Sequence, residues 1–215
     1  MPSQTKRKPK TAPIDYSVHP GVQMVMKWVE ELKGKTGRSL DEWSALIRKQ
    51  GPKEMDQRRE WLKSKYKLGT NTAWWLAERA DGQPTWDESP EAYLAIAPTY
   101  VDEMFGGARA ALRPIGDALL RLGRDVAADI KFCPCKTMIP FYRNHVIAQI
   151  KPATNTRVDF GFSLGPEVKF TTRLKDTGGL KKKDRITHRV EITSLADIDA
   201  DVKKWLRMAY DRDGK

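Results

Sequence analysis

Up to about residue 122 the apolar side chains repeat at helical spacing, and beyond it they repeat mostly at every second residue. That change of period is expected where helices give way to strands. In "GVQMVMKWVEELKGKTG", Val22, Val25, Trp28, Val29 and Leu32 make the stripe of an amphipathic helix that Gly34 and Gly37 end. "SLDEWSALIRKQGP" opens with Ser39 and Glu42, a capping-box pair in which each side chain satisfies the other's backbone N–H. Leu40, Trp43, Leu46 and Ile47 then share one face, and Gly51-Pro52 stops the helix. A third helix is expected from Lys53 to Lys67, closed by Gly69, and a fourth from a Thr70 or Asn71 cap through Ala73, Leu76, Ala77 and Ala80. "GQPTWDESP" holds two prolines, a glycine and one large apolar residue, and reads as a linker.

Tyr93 to Phe105 and Ala108 to Leu122 have helical patterns separated by Gly106-Gly107, with Pro114 placed to kink the second. In "RVDFGFSL", Val158, Phe160, Phe162 and Leu164 alternate with Arg157, Asp159, Gly161 and Ser163. In "ITHRVEI", Ile186, His188, Val190 and Ile192 alternate with Thr187, Arg189 and Glu191. Both are half-buried strands. "VAADIKF", "TMIPFY" and "HVIAQI" add weaker strand candidates whose short connections suit antiparallel pairing, with Pro140 at an edge or a bulge. The last helix, "SLADIDADVKKWLRMAYDR", gathers aspartates at its start and bases after them, complementing the helix dipole. The fold class is therefore α+β, a small N-terminal helical domain followed by an antiparallel sheet with helices packed on one face. The expected division is a disordered basic tail over residues 1–19, a helical domain over 20–82, a linker over 83–95 and the α+β domain over 96–215.

Charge changes this picture in one respect. The chain has 215 residues and a formal net charge of +11. The first ten residues hold Lys6, Arg7, Lys8 and Lys10 with no acid, and "RLKDTGGLKKKDRITHR" holds seven bases against two acids, so nine of the eleven charges lie in two segments. Both are expected to be mobile. No run approaches a membrane span, and no apolar segment follows the basic start as a signal peptide requires, so cytoplasmic residence is expected.

Two blocks bear a family resemblance. "TGRSLDEWSALIRKQGPKEMDQRREWLKSKYKLGTNTAWWLAERA" resembles the bacterial family DUF4287. "YVDEMFGGARAALRPIGDALLRLGRDV", "RVDFGFSL" and "THRVEITSLADIDADVKKWLRMAYDR" resemble DUF5655, often fused behind the first. The likeness covers roughly residues 35–80 and 99–212 and implies a two-domain layout; both are domains of unknown function, so no catalytic residues come with it. The chain departs from the second family's pattern at "CPCK" and at the lysine-rich "GLKKKDRITHR".

The residues support no catalytic assignment, metal site or cofactor. Tetrahedral zinc needs four ligands, Cys133 and Cys135 have no second cysteine pair and only His19, His145 and His188 to supplement them, and His188 lies in register with aliphatic neighbours, as a core histidine does. Residues 61–80 could form a helix-turn-helix, but Thr72-Ala73-Trp74-Trp75 at the start of the second helix offers little to a base edge, so at least one tryptophan is expected to pack inward. The expected anion-binding residues are Lys181, Lys182, Lys183, Arg185, Arg189 and Arg157 together with Lys6, Arg7, Lys8 and Lys10. The expected function is non-enzymatic binding of a polyanion, nonspecific nucleic acid first, with no membrane partner. The alternatives are a small-ligand protein or enzyme using the polar sheet face or interdomain cleft, and a protein-interaction module.

Overall fold

The computed structural model describes residues 15–82 and 86–214. They form two compact units, Val18–Ile96 and the chain from Ala97 onward joined by residues 15–17. Residues 1–14 of the expected tail, with Lys6, Arg7, Lys8 and Lys10, lie outside the described residues. Asp15–His19 are ordered: the Ser17 amide donates to the Phe132 carbonyl, and His19 caps a helix.

The first unit contains α1 (Pro20–Thr36), α2 (Leu40–Gln50), α3 (Met55–Tyr66), α4 (Thr70–Arg79) and the start of α5 (Pro90–Met104). Before α1, the His19 ring Nδ1 accepts the Gly21 N–H at 2.9 Å, which leaves the ring proton on Nε2. The capping box forms as its spacing predicts: Glu42 N–H donates to Ser39 Oγ at 3.2 Å and Ser39 N–H to Glu42 Oε2 at 2.6 Å. Lys67, with φ 55°, closes α3 two residues before Gly69, and Gly69 is the N-cap of α4 in place of Thr70 or Asn71. Leu32, Trp43, Ile47, Leu62 and Leu76 are fully enclosed, each burial stabilising the unit by about 1.5–3 kcal/mol. Residues 90–95 of the expected linker are helical, since Pro90 suits a first helical position and Ser89 Oγ accepts the Ala92 N–H at 3.1 Å.

In the second unit the expected helix over 108–122 divides into a 3-10 segment, Gly107–Leu112, and α6, Arg113–Val126. Pro114 sits in the opening turn of α6, where its missing N–H has no intrahelical acceptor to lose. Six antiparallel strands follow: β1 (Lys131–Phe132), β2 (Ile139–Tyr142), β3 (Val146–Pro152), β4 (Val158–Phe162), β5 (Lys175–Asp176) and β6 (His188–Ile192), in the order β1-β2-β3-β4-β6-β5. Only the last two residues of "VAADIKF" are strand, because Val126 still belongs to α6. β5 and a short helical turn, α7 (Gly179–Lys182), arise in the lysine-rich segment expected to be mobile. Pro140 lies opposite Gln149 and accepts the Cys133 N–H through its carbonyl, so its nitrogen also faces the short β1 side, next to the register shift at Phe141/Tyr142. No bond to β3 is lost there.

One face of the sheet carries Phe132, Phe141, Phe160 and Phe162, whose rings contact one another in sequence at 4.6, 5.6 and 4.7 Å between centroids. α6 and α8 (Ala200–Asp213) supply Leu119, Leu120, Val202 and Leu206 to the same core. Gly123 lets α6 approach closely, since a Cβ there would meet the Phe132 and Phe141 rings at 2.8 Å. The opposite face over β3, β4, β6 and β5 is polar. Among the described residues no helix is long and apolar enough to cross a membrane.

Candidate anion-binding surface

Alternation along β4 and β6 puts Asp159, Arg189 and Glu191 on the polar face, and the register sets Asp159 opposite Glu191 and Gly161 opposite Arg189. Gly161 is bare because a Cβ would lie 2.6 Å from the Ile186 Cγ2. Arg157 and Arg189 do come together, but not as free cations. Arg189 Nη1 donates to Asp159 Oδ2 at 3.0 Å and to Glu191 Oε1 at 2.9 Å. Arg157 Nη1 lies 3.2 Å from Glu191 Oε1, and its Nε lies 3.0 Å from Asp159 Oδ1, an ion pair without hydrogen-bond geometry. Lys175 donates to Glu191 Oε2 at 2.7 Å. The Lys175 bond, with help from Arg189 and Arg157, holds the Glu191 carboxyl below its ordinary range. Three bases thus share two acids, leaving one net positive charge.

Beside this network is a depression of ≈ 310 Å³ lined by Gln149, Lys151, Asp159, Gly161, Thr177 and Arg189, among others. The Lys151 and Gln149 side chains make no ion pair or hydrogen bond among the described residues. Sequence reasoning missed both, although the alternation of "HVIAQIKP" sets them two residues apart on one face.

Lys181, Lys182, Lys183 and Arg185 belong to the cap joining β5 to β6. Its backbone is ordered by its own polar groups. Asp176 Oδ1 accepts the Gly178 N–H at 2.7 Å, Thr177 Oγ1 accepts from Gly179 N and donates to the Ile186 carbonyl at 2.5 Å, and Asp184 N–H returns to Gly179 O at 2.8 Å. Lys183 closes the turn with φ 57°, a left-handed conformation uncommon outside glycine. Lys181, Lys182 and Lys183 are exposed and carry no ion pair among the described residues. Arg185 differs: it lies 3.4 Å from Asp213 Oδ1. Although burial pushes the Asp213 carboxyl up, the N–H groups of His145 and Asn144 and the His145 ring hold it below its ordinary value.

The other candidates resolve into structure. His188 is fully buried, its Nε2 donating to the Val168 carbonyl at 2.9 Å and its Nδ1 2.8 Å from Thr187 Oγ1. Burial pushes the Cys133 thiol up to about 12 and the Cys135 thiol to about 11, far from a reactive thiolate. Among the described residues no three His, Cys, Asp or Glu side chains converge as a metal site. In the helical unit Trp75 packs edge-on against Trp28 at 4.9 Å, while Trp74 remains 42% exposed under the Arg59 guanidinium. The polar rim of α4 offers no base, since Arg79 is buried in an ion pair with Asp87 at 2.5 Å.

Two family models match the sequence, in chain order. Residues 26–82 match "Domain of unknown function (DUF4287)" and residues 101–213 match "Domain of unknown function (DUF5655)", in agreement with the resemblance of the two sequence blocks. Among curated proteins and solved structures, nothing matches the chain.

Proposed function

The chain belongs to the DUF5655 family, and we propose that it is a non-enzymatic, cytoplasmic polyanion-binding protein whose ligand is nucleic acid held through its phosphates. The observation that carries the reading is the contrast between cations on the α+β unit. Arg157, Arg189, Lys175 and Arg185 are each engaged by a carboxylate, whereas Lys181, Lys182 and Lys183 stand together on an ordered cap with none. A free ammonium releases a phosphate's counterion without first breaking a protein ion pair, so the cap is the part of the surface best suited to phosphate contact. The tail residues Lys6, Arg7, Lys8 and Lys10 are assigned the same role. Arg157 and Arg189 become structural supports of the sheet face.

The test is the salt dependence of binding to a short duplex, followed by fluorescence anisotropy. Affinity should fall steeply with salt. Replacing Lys181, Lys182 and Lys183 with glutamine should flatten the log–log slope by up to about 2.7, at about 0.9 for each lost phosphate contact. Absence of binding at low salt removes the reading. A small-ligand site on the sheet face has one observation in its favour, the depression with unpaired Lys151 and Gln149; binding of a small molecule that K151Q abolishes, with the cap variant unaffected, would select it.

A further inference from the structure

Phe170 is a large apolar side chain left 42% exposed, in the segment that leads into β5. Single exposed aromatics are common and carry no meaning alone. This one has a partner. Its ring lies on the His188 imidazole, 4.5 Å between centroids and tilted by 32°. His188 is itself engaged at both ring nitrogens, by Thr187 Oγ1 and the Val168 carbonyl. One face of Phe170 is thereby covered, and the side chain is still 42% exposed. His188 opens β6 immediately after the cap, and Asp176, at the other leg of the cap, is its partner in the β5–β6 register. Lys169, next to Phe170, is exposed and carries no ion pair among the described residues, as is true of Lys181, Lys182 and Lys183. Glu167 is paired with Arg212, and the exposed acids nearby without an ion pair are Asp176 and Asp184, so the unpaired charges of the four lysines and these two acids sum to +2. Leu180, 37% exposed, adds apolar surface on the cap itself.

We infer that Phe170 is a stacking platform for an unpaired base, and that the preferred ligand is single-stranded nucleic acid whose backbone runs along Lys169 and the cap lysines. The inference rests on the polyanion reading and deepens it. An exposed aromatic with a free ammonium next to it in sequence matches the two features that recur in every nucleotide, a π-face and a phosphate, without reading sequence. A duplex keeps its bases stacked on one another and offers Phe170 nothing.

The experiment compares oligothymidylate, oligouridylate and a duplex of equal length at one salt concentration, using wild type, Phe170→Ala, Phe170→Tyr and the triple lysine-to-glutamine variant of the cap. Wild type should bind the single strands more tightly than the duplex. Phe170→Ala should lower single-strand affinity about tenfold, leave duplex binding and the salt slope unchanged, and Phe170→Tyr should restore the preference. Both single strands behaving alike supports a platform that reads only the base face; preference for one of them assigns DNA or RNA as the source. Equal affinity for single strand and duplex, unmoved by Phe170→Ala, overturns the platform and leaves the polyanion reading standing. No binding of any of the three removes both. Circular dichroism of Phe170→Ala against Phe170→Tyr separates lost stacking from lost folding.

Discussion

α3 and the cap after β5 are both strongly basic stretches, yet the structure uses their charges in opposite ways. In α3, Arg58 is buried and donates to the carbonyls of Pro52, Lys53 and Ala77 and, through two nitrogens, to the Asp81 carboxylate at 3.1 and 3.2 Å. Arg59 pairs with Asp56 at 3.1 Å, Lys63 with Glu60 at 2.9 Å, and Lys65 lies 5.4 Å from the Trp61 ring centre. A helix brings residues three and four apart together, and α3 places an acid at that spacing before Arg59 and before Lys63. α7 is only four residues long and contains no acid, and its lysines carry no ion pair among the described residues. Availability of charge is set by local register more than by the number of bases.

The largest way to break this comparison is Arg58→Ala. It leaves buried carbonyls without a donor and should cost the helical unit about 3 kcal/mol, with no change in the salt slope of nucleic-acid binding. Six of the seven tryptophans lie in that unit, so thermal unfolding by tryptophan fluorescence reports it. A slope change as large as one cap lysine produces would show that α3 touches phosphate after all.

Glu191→Gln comes next. It releases Arg189, Arg157 and Lys175 from their shared carboxylate and should destabilise the α+β unit by about 1 kcal/mol, the upper range for a partly exposed network. It should also steepen the salt slope by up to about 0.9 for each freed cation that reaches a phosphate. An unchanged slope would mean that the sheet face is out of reach of the ligand.

Asp56→Asn with Glu60→Gln does the same for α3 at lower cost, about 0.2–0.5 kcal/mol per pair. If the comparison holds, this double variant acquires part of the cap's behaviour and binds duplex more tightly at low salt.

The smallest effect at neutral pH concerns His19. Burial holds its imidazole below the ordinary value, and the neutral Nδ1 caps α1. A group whose folded pKa is depressed contributes stability that is present above the unfolded value, near 6.5, and is lost as pH falls through the folded one. The tryptophan-monitored melting temperature should therefore fall as the solution is acidified below about pH 6.5, and His19→Asn, which keeps a capping oxygen but does not titrate, should weaken that dependence. An identical profile in the variant would assign the acid sensitivity to other groups.

Much of the architecture was legible because it depends on neighbours in sequence. The Ser39–Glu42 box, the Gly51 stop and the alternation of Val158, Phe160 and Phe162 need no distant partner to be recognised. β5 and α7 were not legible, since a two-residue strand exists only through its pairing with β6 and a single helical turn only through the Gly178–Asp184 backbone bonds. Of the candidate site, the bases of the cap were visible as composition. Their freedom, and the loss of Arg157 and Arg189 to carboxylates, were not, because strand register decides which charges face each other.

By itself the sequence determined the two-part layout, the α+β class, the helix caps and the segments where basic side chains are dense. Only the tertiary structure decided which of those side chains are still charged outward and unopposed, that His188 is a pinned support, and that Phe170 is left facing solvent above it. The physical reason is range. Periodicity and capping act over a few residues, whereas pairing, burial and exposure depend on groups that the chain brings together from tens of residues apart.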